Sequence, residues 1–243
     1  MLAVRFQSED PARHLACDEA LLRHADAGQI GECLRLYEIT EPTVVLGVSS
    51  RWEQDVWPAA CRRAGVPILR RVSGGGAVLL GSGCLNYAVL LDAGARGELR
   101  SVRPSYRWIL SRLIAALAPH GIECAQAGLS DLAVAGRKVG GSAQKRGKRM
   151  VLHHGTLLYD FRTEDVAAFL REPEQAPDYR NGRPHTQFVA NLPVSGTDLR
   201  HAVRTALDIG ADAGTQDMSE ALADQVGELV RGKYRCDGWN LRR

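Results

Sequence analysis

The sequence has no C-x-x-C pair: Cys17, Cys33, Cys61, Cys84, Cys124 and Cys236 stand singly. That excludes a zinc ribbon or thioredoxin-like redox motif, and free thiols in a reducing, cytoplasmic setting are the expectation. No continuous apolar run approaches the length that crosses a bilayer, and no apolar stretch follows Met1, so neither a membrane span nor a secretory leader is expected. Charge nearly balances, at +3 in 243 residues, without a basic helix or zinc-finger spacing, which argues against nucleic acid as partner. Repeats, low-complexity tracts and linkers are missing too. What remains is ordinary globular composition, 45% hydrophobic and 24% charged, enough to bury a sizeable core.

Two glycine-rich segments stand out from this background. The first is Arg70-Arg71-Val72-Ser73-Gly74-Gly75-Gly76-Ala77-Val78, and the second is Gly136-Arg137-Lys138-Val139-Gly140-Gly141-Ser142-Ala143-Gln144. Each places backbone N–H groups without side-chain cover beside fixed positive charge, as the binding of a phosphate or a developing oxyanion requires. Three successive glycines cost backbone entropy, and packing gives no reason for them at a strand exit. Arg70 and Arg71 are therefore read as charges neutralising a ligand, against the alternative of a tight turn with two surface arginines. No helix follows the first segment, so it is not a Rossmann fingerprint, and without G-K-[S/T] it is not a P-loop.

The pattern along the chain predicts one α+β domain over residues 1–243, with a mixed, largely antiparallel sheet and helices packed on it. A helix starts at Asp10-Pro11 and stops near Gly28; strands cover 33–37 and 43–47; a short helix spans 57–64; a strand over 66–70 enters the triple glycine. Residues 77–80 and 85–91 read as a hairpin joined through Gly81-Ser82-Gly83. Tyr106, Ile109, Leu110, Leu113, Ile114 and Leu117 follow helical spacing. Strand-like pieces run to Tyr159, and from Thr163 the chain is mostly helical around a loop at 173–193.

Among single residues, Lys138 is either a charge that approaches a ligand closely between small neighbours or a strand lysine reaching solvent. His153 and His154 are adjacent on a strand, so they face opposite ways and cannot share a metal; one is expected towards a pocket and one outside. Lys145, Arg146, Lys148 and Arg149 around Gly147 form a basic hairpin tip, solvated or docking an acidic partner. Cys84 and Cys124 are the thiols to weigh as acyl nucleophiles, although both lie in apolar strand contexts that suit inert thiols.

Taken together these residues resemble the lipoate–protein ligase family, to which biotin ligases and octanoyltransferases are related. Residues 70–78 resemble its R-R-x-[S/T]-G-G-G-A-V, and Leu85-Asn86-Tyr87 resembles L-N-[F/Y]. Ser130-Asp131-Leu132 followed by Gly136 to Ala143 resembles N-D-[LIV] followed by G-[R/K]-K-[IV]-x-G-x-A. His153-His154-Gly155-Thr156-Leu157-Leu158 resembles H-[HAG]-G-[ST]-[LI]-L. Asp18-Glu19-Ala20, Lys233-Tyr234 and Trp239-Asn240 also fit. The chain departs from many ligases at Leu79-Leu80-Gly81, where a histidine and an aspartate are usual.

The resemblance implies a biotin/lipoate ligase-like, class II synthetase-like catalytic domain without a C-terminal accessory domain. It implies that lipoate or octanoate is activated with ATP and Mg²⁺ to acyl-AMP and passed to a lysine of an acidic lipoyl-domain protein, with a separate small accessory protein in some relatives. Lys138 becomes the catalytic charge. Arg70, Arg71, Ser73, Gly74, Gly75, Gly76, Ala77, Asn86, Asp131, Gly141, Ser142, Ala143, His154, Gly155 and Thr156 become the acyl-adenylate site, with Asp131 also as a magnesium ligand. Two alternatives stay open. One is an octanoyltransferase working through a cysteine thioester, with Cys124 as nucleophile; the other is a non-catalytic lipoyl-binding protein.

Overall fold

The computed structural model describes residues 1–208 and 215–242. The chain runs through β1 (Leu2–Arg5), α1 (Pro11–Asp26), β2 (Cys33–Tyr37), β3 (Thr43–Leu46), α2 (Trp52–Asp55), α3 (Pro58–Ala64), β4 (Ile68–Arg70), β5 (Val78–Leu80) and β6 (Cys84–Asp92). It continues through α4 (Val102–Leu117), β7 (Cys124–Ala127), β8 (Asp131–Val134), β9 (Arg137–Arg146) and β10 (Met150–Leu158). Then come α5 (Asp165–Phe169), α6 (His185–Phe188), α7 (Gly196–Ala206), β11 (Thr215–Asp217), α8 (Glu220–Leu229) and α9 (Asp237–Asn240). Local chemistry explains where α1 begins. The Asp10 carboxylate accepts from the Ala12 N–H at 2.9 Å, and Pro11 occupies the first turn, where a missing N–H costs nothing.

Among the described residues, eight strands form one sheet in the order β11-β1-β2-β6-β10-β9-β8-β7, parallel at β11-β1-β2 and antiparallel elsewhere. This is the mixed, largely antiparallel α+β arrangement that the sequence predicts. Alternation along β6 divides the core: Leu85, Tyr87, Val89 and Leu91 pack with α4 and α7, while Cys84, Ala88 and Leu90 pack with α1 and α8. A second sheet of three strands, β4-β3-β5, joins the α1 side of the core.

The expected hairpin across Gly81-Ser82-Gly83 does not form. β5 pairs with β3, with Thr43 opposite Leu80, whereas β6 pairs with β2 and β10. The cause is burial: residues 84–91 are covered on both faces and both edges of β6 are taken, so β5 has no edge to join. The region after Thr163 is largely helical where described, with the 173–193 loop broken by a 3₁₀ turn at Asp178–Arg180 and by α6. The part of that expectation falling on 209–214 lies outside the described residues. Among the described residues, no helix is long and apolar enough to cross a membrane.

Candidate active site

A cavity of about 740 Å³ brings the two glycine segments together. Gly75, Gly76 and Ala77 form one wall, and Asn86, Asp131, Lys138, Gly141, Ser142, Ala143, His154, Gly155 and Thr156 form the other. Leu15, Tyr37, Val78, Leu80, Phe161, Val166 and Leu170 give the interior an apolar part. The segment from Arg171 to Val189 contributes Pro173, Pro177, Arg180 and His185.

The loop's peptide groups are sorted by direction. Arg71 Nη2 donates to the carbonyls of Gly74 and Gly76, at 2.5 and 2.9 Å, and Arg71 Nη1 donates to Val45 O. The carbonyl of Ser73 accepts from Val48 N at 2.7 Å. Among the described residues, the N–H groups of Gly74, Gly75 and Gly76 donate to no protein acceptor. Carbonyls drawn inward, with successive amides left over, form the arrangement by which a backbone nest can hold an anion. Among the described residues Arg71 has no carboxylate partner, and burial lowers its guanidinium to about 10. At that value it is still cationic at neutral pH and sits directly behind the nest.

Arg70 does the opposite of what its neighbour does, because successive strand residues point to opposite faces. It is fully buried and does not reach the cavity. Its guanidinium donates to Gly47 O and Ser50 O at 2.8 Å, to Arg242 O at 2.9 Å and to Trp239 O at 3.1 Å. The backbone adds Arg70 N to Asn240 Oδ1 and Trp239 Nε1 to Arg70 O. Arg70 therefore clamps the C-terminal residues, which corrects the reading of it as a ligand-binding charge. Ser73 and Gly74 also lie behind the cavity wall rather than on it.

Lys138 opens β9 and points into the cavity, with its ammonium 2.9 Å from Asp131 Oδ1. Tyr179, on the overlying segment, donates its hydroxyl to Asp131 Oδ2 at 2.8 Å. Burial and the Asp131 charge push the Tyr179 phenol well above its usual range. The second glycine segment makes this corner possible by being small. A Cβ on Gly140 would stand 2.6 Å from Thr156 O, and one on Gly141 would stand 2.9 Å from the Lys138 Cε and Nζ.

Of the two histidines, His154 faces the cavity: Nε2 lies 2.6 Å from Ser73 Oγ and Nδ1 lies 2.9 Å from Asp18 Oδ2. His153 does not face outside as expected. It is fully buried under α4 against Tyr106, between Tyr87 Oη at 3.1 Å and Gln144 Nε2 at 3.0 Å, because that sheet face carries a second core rather than solvent. Burial, helped by His154, lowers His153 to about 3. The basic hairpin tip is confirmed as a tip, but Asp26 accepts from the backbone N–H groups of Lys148, Arg149 and Met150, and Arg149 Nε lies 3.4 Å from Asp92.

Cys124, weighed as an acyl nucleophile, does not line the cavity. It packs towards α4 and burial raises it to about 11. Among the described residues none of the six cysteines lines the cavity, and Cys84, nearest the loop in sequence, is pushed up to about 12 by burial. Also among the described residues, no group of three or more His, Cys, Asp or Glu is placed to hold a metal. Sequence reasoning missed Tyr179, Arg171, Arg180 and His185. Their one signal was three prolines, Pro173, Pro177 and Pro184, interleaved with arginines in a stretch without helical period.

This fold and pocket define a class: an α+β domain whose cavity joins an apolar part to two glycine-rich segments beside Arg71 and Lys138. The chain belongs to the lipoyl protein ligase A/B catalytic domain family, whose model matches residues 10–203. It is 28% identical to the octanoyltransferase LipM of Geobacillus kaustophilus, across 96% of this chain and 95% of that one. It is 25% identical to the lipoate-protein ligase LplJ of Bacillus subtilis, across 96% of this chain and 71% of that one. Among solved structures, the fold is shared with the bi-partite lipoate protein ligase of Thermoplasma acidophilum, at TM-score 0.83, 24% identity and coverage of 100% and 97%. It is shared equally with a lipoate-protein ligase A bound with ATP, at TM-score 0.85, 22% identity and coverage of 99% and 98%.

Proposed function

We propose that this protein is an ATP-dependent lipoate– or octanoate–protein ligase, acting through residues 1–243 as one catalytic unit. The observation that supports it best is a cavity with an apolar channel, two cation-backed anion sites and no thiol. In the first step an acyl carboxylate oxygen attacks the α-phosphorus of ATP. The bond to the β-phosphate oxygen breaks, and pyrophosphate leaves with its electron pair. The amides of Gly75 and Gly76, beside Arg71, suit the acyl carboxylate, and the Lys138 ammonium suits the charge that builds on carbonyl and phosphate oxygens. In the second step a neutral lysine amine of the acceptor attacks the acyl carbon, AMP departs with the C–O electron pair, and the amine's extra proton goes to solvent.

A magnesium ion would neutralise polyphosphate charge. Asp131 is the carboxylate beside Lys138, and one carboxylate fits an ion that phosphates largely coordinate, not an all-protein metal site. The acceptor consistent with the T. acidophilum ligase and its E2 lipoyl domain is a lipoyl-domain protein, and the bi-partite organisation of that ligase supports a separate accessory protein here. Incubation with octanoate or lipoate, ATP and Mg²⁺, with and without such a protein, should release pyrophosphate and form noncovalent acyl-AMP. No adenylate under either condition refutes the proposal.

A second reading is favoured by the LipM match across nearly the whole of both chains. An octanoyltransferase would take its acyl group from a carrier thioester onto a cysteine. Intact-mass measurement after mixing with octanoyl carrier protein separates the two: a stable octanoyl adduct on the chain supports the transferase.

A further inference from the structure

A buried line of hydrogen bonds connects α1 to the glycine loop. Asp18 is 1% exposed, and its Oδ1 accepts from Arg35 Nη1 at 2.9 Å. Its Oδ2 meets His154 Nδ1, His154 Nε2 meets Ser73 Oγ, and Ser73 Oγ accepts from Arg71 Nε at 3.0 Å. Arg71 then holds the Gly74 and Gly76 carbonyls. On Asp18, burial works against ionisation, but the hydrogen bond from His154 and the charge of Arg35 prevail and keep the carboxyl below its usual range.

For a neutral His154 imidazole, this one carboxylate assigns the protons in the line. An ionised Asp18 only accepts, so His154 carries its proton on Nδ1. Nε2 is then an acceptor, and Ser73 gives it its single hydroxyl proton. A Ser73 lone pair is left for Arg71 Nε, which fixes the plane of the guanidinium. The other tautomer would set the bare Nδ1 lone pair against the Asp18 carboxylate, which only accepts. Ser73 is 1% exposed and off the cavity wall, so it is not placed as a nucleophile.

We propose that Asp18, through His154 and Ser73, is a positioning residue that fixes Arg71 and so sets the turn that leaves the amides of Gly75 and Gly76 at the cavity wall. Asp18 and Ser73 lie off the cavity wall, whereas His154 and Arg71 line it, so the line carries the geometry of that wall back to α1. The kinetic part of the inference rests on the ligase reading above, and the spectroscopic part does not.

The test uses the whole chain with Ser73→Ala and Ser73→Thr, the second keeping the hydroxyl that the family motif also allows. Asp18→Asn is secondary, because it leaves Arg35 unpaired in the core and can unfold the protein. In wild type, ¹⁵N imidazole spectra should place the His154 proton on Nδ1. Amide resonances of Gly74 to Gly76 should shift in Ser73→Ala and return in Ser73→Thr. With octanoate and ATP, Ser73→Ala should lower kcat for pyrophosphate release about 100-fold and change KM for ATP by less than about threefold; Ser73→Thr should recover most of it. An Nε2 proton in wild type, unmoved glycine resonances in Ser73→Ala, equal kcat in the two proteins or an acyl adduct on Ser73 would overturn the relay. A wild type that makes no adenylate sinks the ligase reading instead, and the imidazole and glycine spectra still decide the relay.

Discussion

Gly75 stands at φ +86 over the Arg71 guanidinium, whereas Gly141 has no left-handed φ and sits beside the Lys138 ammonium. Both belong to glycine-rich segments of one cavity, and they use the missing side chain differently. In the loop, glycine allows a backbone turn that exposes amides and hides carbonyls. In β9, it makes room for a lysine to fold back on its own strand towards Asp131. A run of glycines beside basic residues therefore carries two kinds of information, one about backbone conformation and one about space, and only the surroundings tell them apart.

The largest expected effect is at the charge itself. Lys138→Ala should lower adenylate formation on the order of 10³-fold with the unfolding midpoint nearly unchanged, read by pyrophosphate release and by urea titration. Comparable activity in the variant would end its catalytic role. The two glycines come next. Gly75→Ala forces a strained backbone and places a methyl 2.9 Å from Arg71 Nη2, so it should cost about 1–3 kcal/mol of stability as well as activity. Gly141→Ala meets the movable end of Lys138 at 2.9 Å and Asp131 Oδ1 at 3.3 Å, both side-chain ends, so activity should fall while stability holds. Equal stability losses in the two variants would break the distinction.

The adjacent arginines sharpen the same contrast. Arg70→Lys removes the fork that gathers the C-terminal carbonyls and should cost on the order of 2–3 kcal/mol, with KM for the acyl substrate unchanged. Arg71→Lys should raise KM more than it lowers stability. The smallest effect is with pH. Burial lowers His14 to about 4, with the Arg35 charge adding to it, and lowers His153 to about 3. Both folded values lie below the unfolded one, so the unfolded chain binds more protons between about pH 4 and 6.5. Stability is complete above that window and falls as pH drops through it, by up to about 1.4 kcal/mol per pH unit for each histidine. Urea midpoints from pH 7 to 4.5 should show the slope, and His153→Gln should flatten it; a flat profile in wild type would contradict it.

Much of this architecture is legible along the chain because its signals are local. Asp10 and Pro11 announce α1, the spacing from Tyr106 to Leu117 announces α4, and Gly147 among basic residues marks the turn between β9 and β10. What failed was choice of partner. The apolar run over 77–80 reads as a strand, but does not say that its neighbour is β3 and not β6. Likewise, nothing near Arg70 or Cys124 shows that one turns to the C-terminus and the other to α4.

The sequence by itself determined the α+β class, the strands that carry the two glycine segments and the family they belong to, since each depends on residues close together or on a motif read in order. Only the tertiary structure decided which of two neighbouring arginines backs the nest and that no thiol faces the cavity. It alone joined Asp18 to His154 across 136 positions and brought Tyr179 over Asp131. Those pairings depend on which buried polar groups meet, and a buried donor or acceptor accepts whatever partner the packed chain brings to it, however distant in sequence.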